Sequence, residues 1–331
     1  MLTRLLGLRA PILVGPMTAV SEENLVVAAA QAGIAAGLPP HNYPSVKAFA
    51  AALERIRART NGAFVVNLIV NRANLLLRSQ LDAALEAKTR IFVTSLGDPK
   101  DVIRAAHAAG AKVICDVSTV AHGERAQASG ADAVNAVVSG AGGHCGHITA
   151  FALVPSLVDR LKIPVICAGG VSDGRGLAAA MALGAAGVQM GTRFIASTEC
   201  AATRGWKDAI VAATADDLVL TERLSGVTGS YLKTADLERA GIALPLPLAL
   251  LLRHPRTQGW TRKAMMVMAS RKMSAIRKGE RALWSAGQSA GLVHDIEPVA
   301  AIVDRIMAEY RVALGQLAAG GVTFEAPGSA R

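Results

Sequence analysis

The chain has 331 residues, with 35 lysines and arginines against 25 aspartates and glutamates, a formal net charge of +10, and 52% hydrophobic but only 4% aromatic side chains. A chain of this length buries around three-quarters of its unfolded surface, so the core is expected to be aliphatic, built from alanine, valine and leucine. The surplus charge suits a soluble basic surface or an anionic partner, and the very apolar segment 242–252 is too short to span a bilayer and is broken by Pro245 and Pro247.

The first ten residues carry arginines but no apolar run of signal-peptide length, and the expectation is a cytoplasmic chain. Short apolar runs at 12–14, 33–37, 64–67, 91–94, 112–116, 133–138, 165–168 and 187–190 predict eight strands buried on both faces. Alanine-rich stretches at 23–32, 45–57, 74–87, 99–109, 119–129, 150–161 and 174–183 predict the helices between them. Gly110, Gly130 and Gly184 each stand just past a helix and just before a strand, the place of a C-cap glycine. Eight alternating units predict an α/β fold, a parallel sheet closed into a (β/α)8 TIM barrel. An open doubly wound sheet would carry G-x-G-x-x-G at its first βα turn, and Gly15-Pro16-Met17 does not match it.

Beyond Cys200 the alternation stops. Residues 1–202 are read as the barrel, 203–285 as a smaller, mostly helical inserted domain without strand alternation, and 286–331 as a segment returning to the barrel. The insert holds a proline-rich break at 244–255 and a basic helix at 261–279, in which Met265, Met266, Met268 and Met273 serve as packing. Arg271, Lys272, Arg277 and Lys278 read as a solvated face that also suits an acidic partner. Cys115, Cys145, Cys167 and Cys200 are scattered, with no C-x-x-C pair and no zinc spacing, which points to reduced thiols.

In such a barrel the active site lies at the C-terminal ends of the strands. Ala168-Gly169-Gly170 follows the seventh predicted strand and Gly191-Thr192 the eighth. Glycines at two adjacent strand ends let backbone N–H groups approach an anion, and a helix beginning near Asp173 would add its positive end. The alternative, that these glycines only make tight turns, loses ground because both loops fall where this architecture binds phosphate. After the sixth strand, Gly142-Gly143-His144-Cys145-Gly146-His147 places a histidine in a glycine-rich loop, suited to acid, base or hydrogen-bond work. A metal pair of His144 and His147 is the weaker reading, since no third ligand stands nearby in sequence. Asn67 and Asp116 close apolar runs and either contact a polar cofactor or cap the helix that follows. His41, His107, His122, His254 and His294 fall on predicted helices or outer loops and receive no role.

Taken together, Pro11-Ile12-Leu13-Val14-Gly15-Pro16-Met17, Val66-Asn67-Leu68-Ile69-Val70, Gly140-Ala141-Gly142-Gly143-His144-Cys145-Gly146, Phe151-Ala152-Leu153-Val154-Pro155, Gly191-Thr192-Arg193-Phe194, Ser225-Gly226-Val227-Thr228-Gly229-Ser230-Tyr231-Leu232 and Trp284-Ser285-Ala286-Gly287-Gln288 resemble, in order and spacing, the nitronate monooxygenase family. That resemblance implies an FMN-containing barrel with a smaller helical domain, and makes His144 the catalytic histidine near flavin and substrate. It implies cofactor contacts from Pro16, Met17, Thr18, Asn67, Ile69, Asp116 and Gly142, a phosphate site on Ala168, Gly169, Gly170, Gly191 and Thr192, and closure by Gln288. Asp116 departs from relatives similar to NADH:quinone reductases, which carry a lysine there.

The implied function is oxidation of alkyl nitronates, or of nitroalkanes, by oxygen to a carbonyl compound and nitrite, with FMN supplying the redox chemistry. The implied partners are a small anionic substrate and oxygen, with no nucleic acid and no membrane, and a homodimer left open. The alternative is an NAD(P)H-dependent FMN reductase of an enoyl thioester or a quinone, since the same barrel family includes enoyl-acyl-carrier-protein reductases.

Overall fold

The computed structural model describes residues 1–71, 73–265, 268 and 280–320. Eight parallel strands close a barrel: β1 (Ile12–Val14), β2 (Ala35–Leu38), β3 (Val65–Ile69), β4 (Ile91–Ser95), β5 (Lys112–Val117), β6 (Ala133–Val137), then, past a two-residue strand β7 (Gly143–His144) outside the barrel, β8 (Val165–Ala168) and β9 (Gly187–Met190). Closure comes from β9 pairing with β1 in the register Leu13 opposite Gln189. All eight predicted strands are present within two residues of their expected bounds. Gly110, Gly130 and Gly184 take positive φ of 71°, 94° and 90° at the helix ends, as their spacing predicts.

Two aliphatic layers hold the barrel. Leu13, Ala35, Val65, Ile91, Ile114, Ala133 and Ile166 point inward and fill the lumen, and Leu2 and Leu6 of the N-terminal helix α1 (Leu2–Leu6) plug its lower end. The outward faces of the strands pack against the surrounding helices through residues such as Val66, Phe92, Leu53, Leu157 and Leu177. Each fully buried side chain of this size contributes about 1.5–3 kcal/mol. The helices start at side-chain caps: Ser45 accepts from the Ala48 N–H, Thr119 from His122 and Asp173 from Gly176.

The segment after Cys200, expected to be mostly helical and without strand alternation, also contains strands. Besides its helices it forms β10 (Leu218–Thr221) and β11 (Gly229–Leu232), an antiparallel ribbon whose second strand also pairs with β7. The Met265 side chain is buried as expected and Met268 is exposed. Met266, Met273 and the cations Arg271, Lys272, Arg277 and Lys278 lie outside the described residues. Further on, Trp284 stacks on Trp206 with ring centroids 6.1 Å apart, and the C-terminal helix Val299–Ala319 packs against the helices Glu23–Gln31 and Gly174–Ala182. Arg193, buried just after β9, is tied to this return by its ion pair with Asp295 at 2.9 Å. Among the described residues no helix is long and apolar enough to cross a membrane.

Candidate functional site

The C-terminal ends of the strands open into a cavity of about 1030 Å3. Pro16, Met17 and Thr18 after β1, Asn67 and Ile69 on β3, and Asp116 on β5 line it. Gly142 and His144 after β6, Ala168, Gly169 and Gly170 at the end of β8, and Gly191 and Thr192 after β9 complete the set. Gln288 is not among the lining residues. Its side chain is exposed, and its N–H donates to the Gly140 carbonyl at 3.2 Å.

The two glycine loops make a cradle. Gly169 has φ +124°, and a Cβ there would stand 2.6 Å from the Ala141 nitrogen, so only glycine lets this loop lie against the β6 loop. Gly170 has φ +74°, and a Cβ there would meet nothing within 4 Å, which leaves open space at the edge of the cavity. Thr192 Oγ1 already accepts from the Gly287 N–H at 2.9 Å, so its own hydrogen remains for an outside acceptor. The helix Gly174–Ala182 does not add the positive end expected of it, because the Asp173 carboxylate caps that N-terminus and pairs with Arg175.

His144 is aimed by the insert. Gly143 and His144 pair antiparallel with Ser230 and Gly229, and the Cys145 N–H donates to the Thr228 carbonyl at 3.2 Å. Nε2 lies 2.9 Å from Ser225 Oγ. The ring lines the cavity and is exposed there, and the protein around it lowers its pKa below the usual imidazole range, which favours the neutral form. Cys145 beside it is half-buried and its thiol is pushed up by burial. Cys115, Cys167 and Cys200 are pushed up to about 11 by burial. None of the four offers a thiolate nucleophile near neutrality.

The floor is a chain of polar side chains across neighbouring strand ends. Asn67 Nδ2 donates to Ser95 Oγ at 2.9 Å, and Ser95 Oγ donates to Asp116 Oδ2 at 2.6 Å. Asn135 Nδ2 donates both to Asp116 Oδ1 and to Gln189 Oε1, each at 2.9 Å. Burial raises the Asp116 pKa, and the bonds from Ser95 and Asn135 partly oppose that rise. The side chains of Asn67 and Asp116 thus meet neighbours across the floor rather than capping a following helix.

Sequence reasoning passed over several residues of this site. His41, given no role, lines the cavity with Nε2 2.9 Å from Thr18 Oγ1, and burial lowers its pKa to about 4. His122 also lines it. Buried Asn42 accepts from the Ala19 N–H at 2.7 Å and donates to the carbonyls of Met17 and Ser21, holding the loop after β1 in place. Gln189 looked like one more position of an apolar strand. From the insert, Trp206, Leu224, Ser225, Val227 and Tyr231 form an upper wall whose arrangement no local pattern announces.

Comparisons with known proteins bear on the family and the fold. Residues 1–309 match the family model described as nitronate monooxygenase. The chain is 29% identical to a (3aS,4S,5R,7aS)-5-hydroxy-7a-methyl-1-oxo-octahydro-1H-indene-4-carboxyl-CoA dehydrogenase of Mycobacterium tuberculosis, covering 92% of this chain and 94% of that protein. It is 31% identical to a nitronate monooxygenase of Pseudomonas aeruginosa, covering 68% and 77%. Among solved structures it is similar to FabK of Thermotoga maritima, with a TM-score of 0.84 and 32% identity over 97% of this chain and 98% of that one. In fold it is also similar to the nitroalkane oxidase of Streptomyces ansochromogenes, with a TM-score of 0.80 at 24% identity over 96% and 99%.

Proposed function

Because the chain belongs to the nitronate monooxygenase family, we propose that this oxidoreductase uses FMN to oxidise alkyl nitronates with oxygen, giving a carbonyl compound and nitrite. The observation that carries the reading is the shared cavity, in which a two-loop glycine cradle and a neutral histidine line one space. The residues suit a flavin mononucleotide. Gly169, Gly170, Gly191 and Thr192 offer a cradle for a phosphate, with a hydroxyl hydrogen to spare. Ala168 and Gly142 flank it, while Pro16, Met17, Thr18, Asn67, Ile69 and Asp116 would border the ring and ribityl chain. Gln288, whose N–H donates to the Gly140 carbonyl, would close over the β6 loop. Bound there, FMN supplies the electron transfer.

The protein's own part is placement and proton handling. His144 would orient the nitro oxygens of a nitronate, or take the α-proton when a neutral nitroalkane binds. The wall from Trp206, Leu224 and Tyr231 would restrict water at the reacting atoms. The test has two steps. The purified protein should be yellow and release FMN on boiling; FAD or no flavin would overturn the cofactor reading. Anaerobic addition of an alkyl nitronate should then bleach the flavin, whereas bleaching by NADH or NADPH alone would favour a reductase.

That second reading, NAD(P)H-dependent reduction of an enoyl thioester or a quinone, has one observation behind it. The cavity lining also includes Leu96 and two cations, Lys100 and Arg125, which suit an anionic carrier or thioester group. The similarity to a CoA-thioester dehydrogenase points the same way. Turnover of such a thioester with NAD(P)H, and none of nitronates, would decide for it.

A further inference from the structure

The single hydrogen of Ser225 decides which nitrogen of His144 is free. Ser225 Oγ lies 2.9 Å from His144 Nε2 and donates to the Val227 carbonyl at 3.2 Å. A hydroxyl has one hydrogen and two lone pairs, and a carbonyl can only accept. With one hydrogen on Oγ, the contacts to Val227 and to the ring are both satisfied only when the hydroxyl turns to the carbonyl and Nε2 carries a hydrogen and donates it. Nδ1 has no partner among the described residues, and the ring lines the cavity.

We propose that Ser225 is a positioning residue that holds His144 as the Nε2–H tautomer and leaves Nδ1 as the nitrogen that meets the substrate. This rests on the reading of His144 as the working group of the cavity. For a neutral nitroalkane the step is a proton transfer. The C–H bond breaks, its electron pair moves into the nitro group to form the nitronate, and the proton goes to Nδ1. The Nε2–H bond to Ser225 is the same before and after, so the hydroxyl serves both the neutral ring and the imidazolium without turning. The insert supplies backbone and side-chain restraint together, because Ser225 stands four residues before Gly229, the pairing partner of His144 in β11. The lowered pKa of the ring favours its neutral form, which is the form this role needs.

Nitrogen-15 labelling of the histidines in the purified, flavin-loaded protein reads the tautomer directly, with His144→Gln assigning the resonance. The expected pattern is a protonated Nε2 and a bare, pyridine-type Nδ1. Ser225→Ala should mix the two tautomers and lower kcat on a neutral nitroalkane about threefold to tenfold, the worth of one ordinary hydrogen bond, with KM and flavin content unchanged. Ser225→Thr, which keeps the hydroxyl, should restore both the pattern and the rate. A wild-type ring protonated on Nδ1 would overturn the proposal, and so would Ser225→Ala with an unchanged tautomer and rate. If instead His144→Ala turns over nitroalkane at the full rate, the catalytic reading of His144 fails, while the tautomer still stands or falls by its own resonances.

Discussion

Replacing Gly169 and Gly170 one at a time by alanine separates two jobs that neighbouring glycines do. At Gly170 the backbone sits at φ +74°, where a side chain costs roughly 1–2 kcal/mol, and the added Cβ meets nothing. The melting temperature should fall by only a few degrees, since roughly 2–4 °C is lost per kcal/mol in chains of a few hundred residues. The same Cβ enters the space assigned to the phosphate. If it displaces the phosphate from one charge-assisted hydrogen bond, FMN affinity should drop roughly tenfold to a hundredfold. At Gly169 the strain at φ +124° adds to an overlap with the Ala141 main chain at 2.6 Å, and the loss should exceed about 3 kcal/mol. Gly169→Ala should therefore melt far lower or fail to accumulate. Thermal unfolding of flavin-free protein and quenching of FMN fluorescence on titration measure the two effects separately. Unchanged FMN affinity in Gly170→Ala would move the phosphate elsewhere, and a Gly169→Ala protein as stable as wild type would refute the packing argument.

His144→Ala should leave the protein yellow and lower kcat/KM, by about a hundredfold to ten-thousandfold on a neutral nitroalkane and less on a preformed nitronate, in steady-state assays on both substrates. Because burial lowers the His144 pKa, the base form is present down to lower pH than for an ordinary histidine. The rise of kcat/KM for a nitroalkane with pH should thus have its midpoint below the ordinary histidine value of about 6.5, and a midpoint at or above that value would contradict it. Asn42→Ala removes three hydrogen bonds, two of them buried, from the loop that carries Met17 and Thr18. It should cost about 2–3 kcal/mol in denaturant unfolding, and a loss below about 0.5 kcal/mol would show that the loop holds itself.

The barrel was legible because its signals are local. Runs such as Val165–Ala168 are apolar throughout, as strands covered on both faces must be, and Gly130 and Gly184 mark helix ends through their own backbone needs. The glycine loops were legible for the same reason, since each follows a recognisable strand. The ribbon was not. His144 pairs with Gly229 across 85 positions, through strands of two and four residues, and no period accumulates over so short a stretch. His41 escaped because a turn after β2 carries no hydrophobic rhythm. Gln189 escaped because a lumen-facing polar side chain is ordinary in sequence and informative only once Asn135 is seen to reach it.

The pairing of β7 with β11 makes this barrel less modular than its architecture implies. In a TIM barrel, loops at the strand ends are usually exchanged without disturbing one another, which is how one scaffold comes to host many chemistries. Here the β6 loop that carries the histidine borrows its edge from a ribbon more than 80 residues further on. A graft that imported a relative's insert to change which molecules enter would also reset the aim of the imidazole. Lineages diverging in substrate therefore have to change the two segments together, and residues 143–145 and 225–230 should drift as a linked set rather than as separate surfaces.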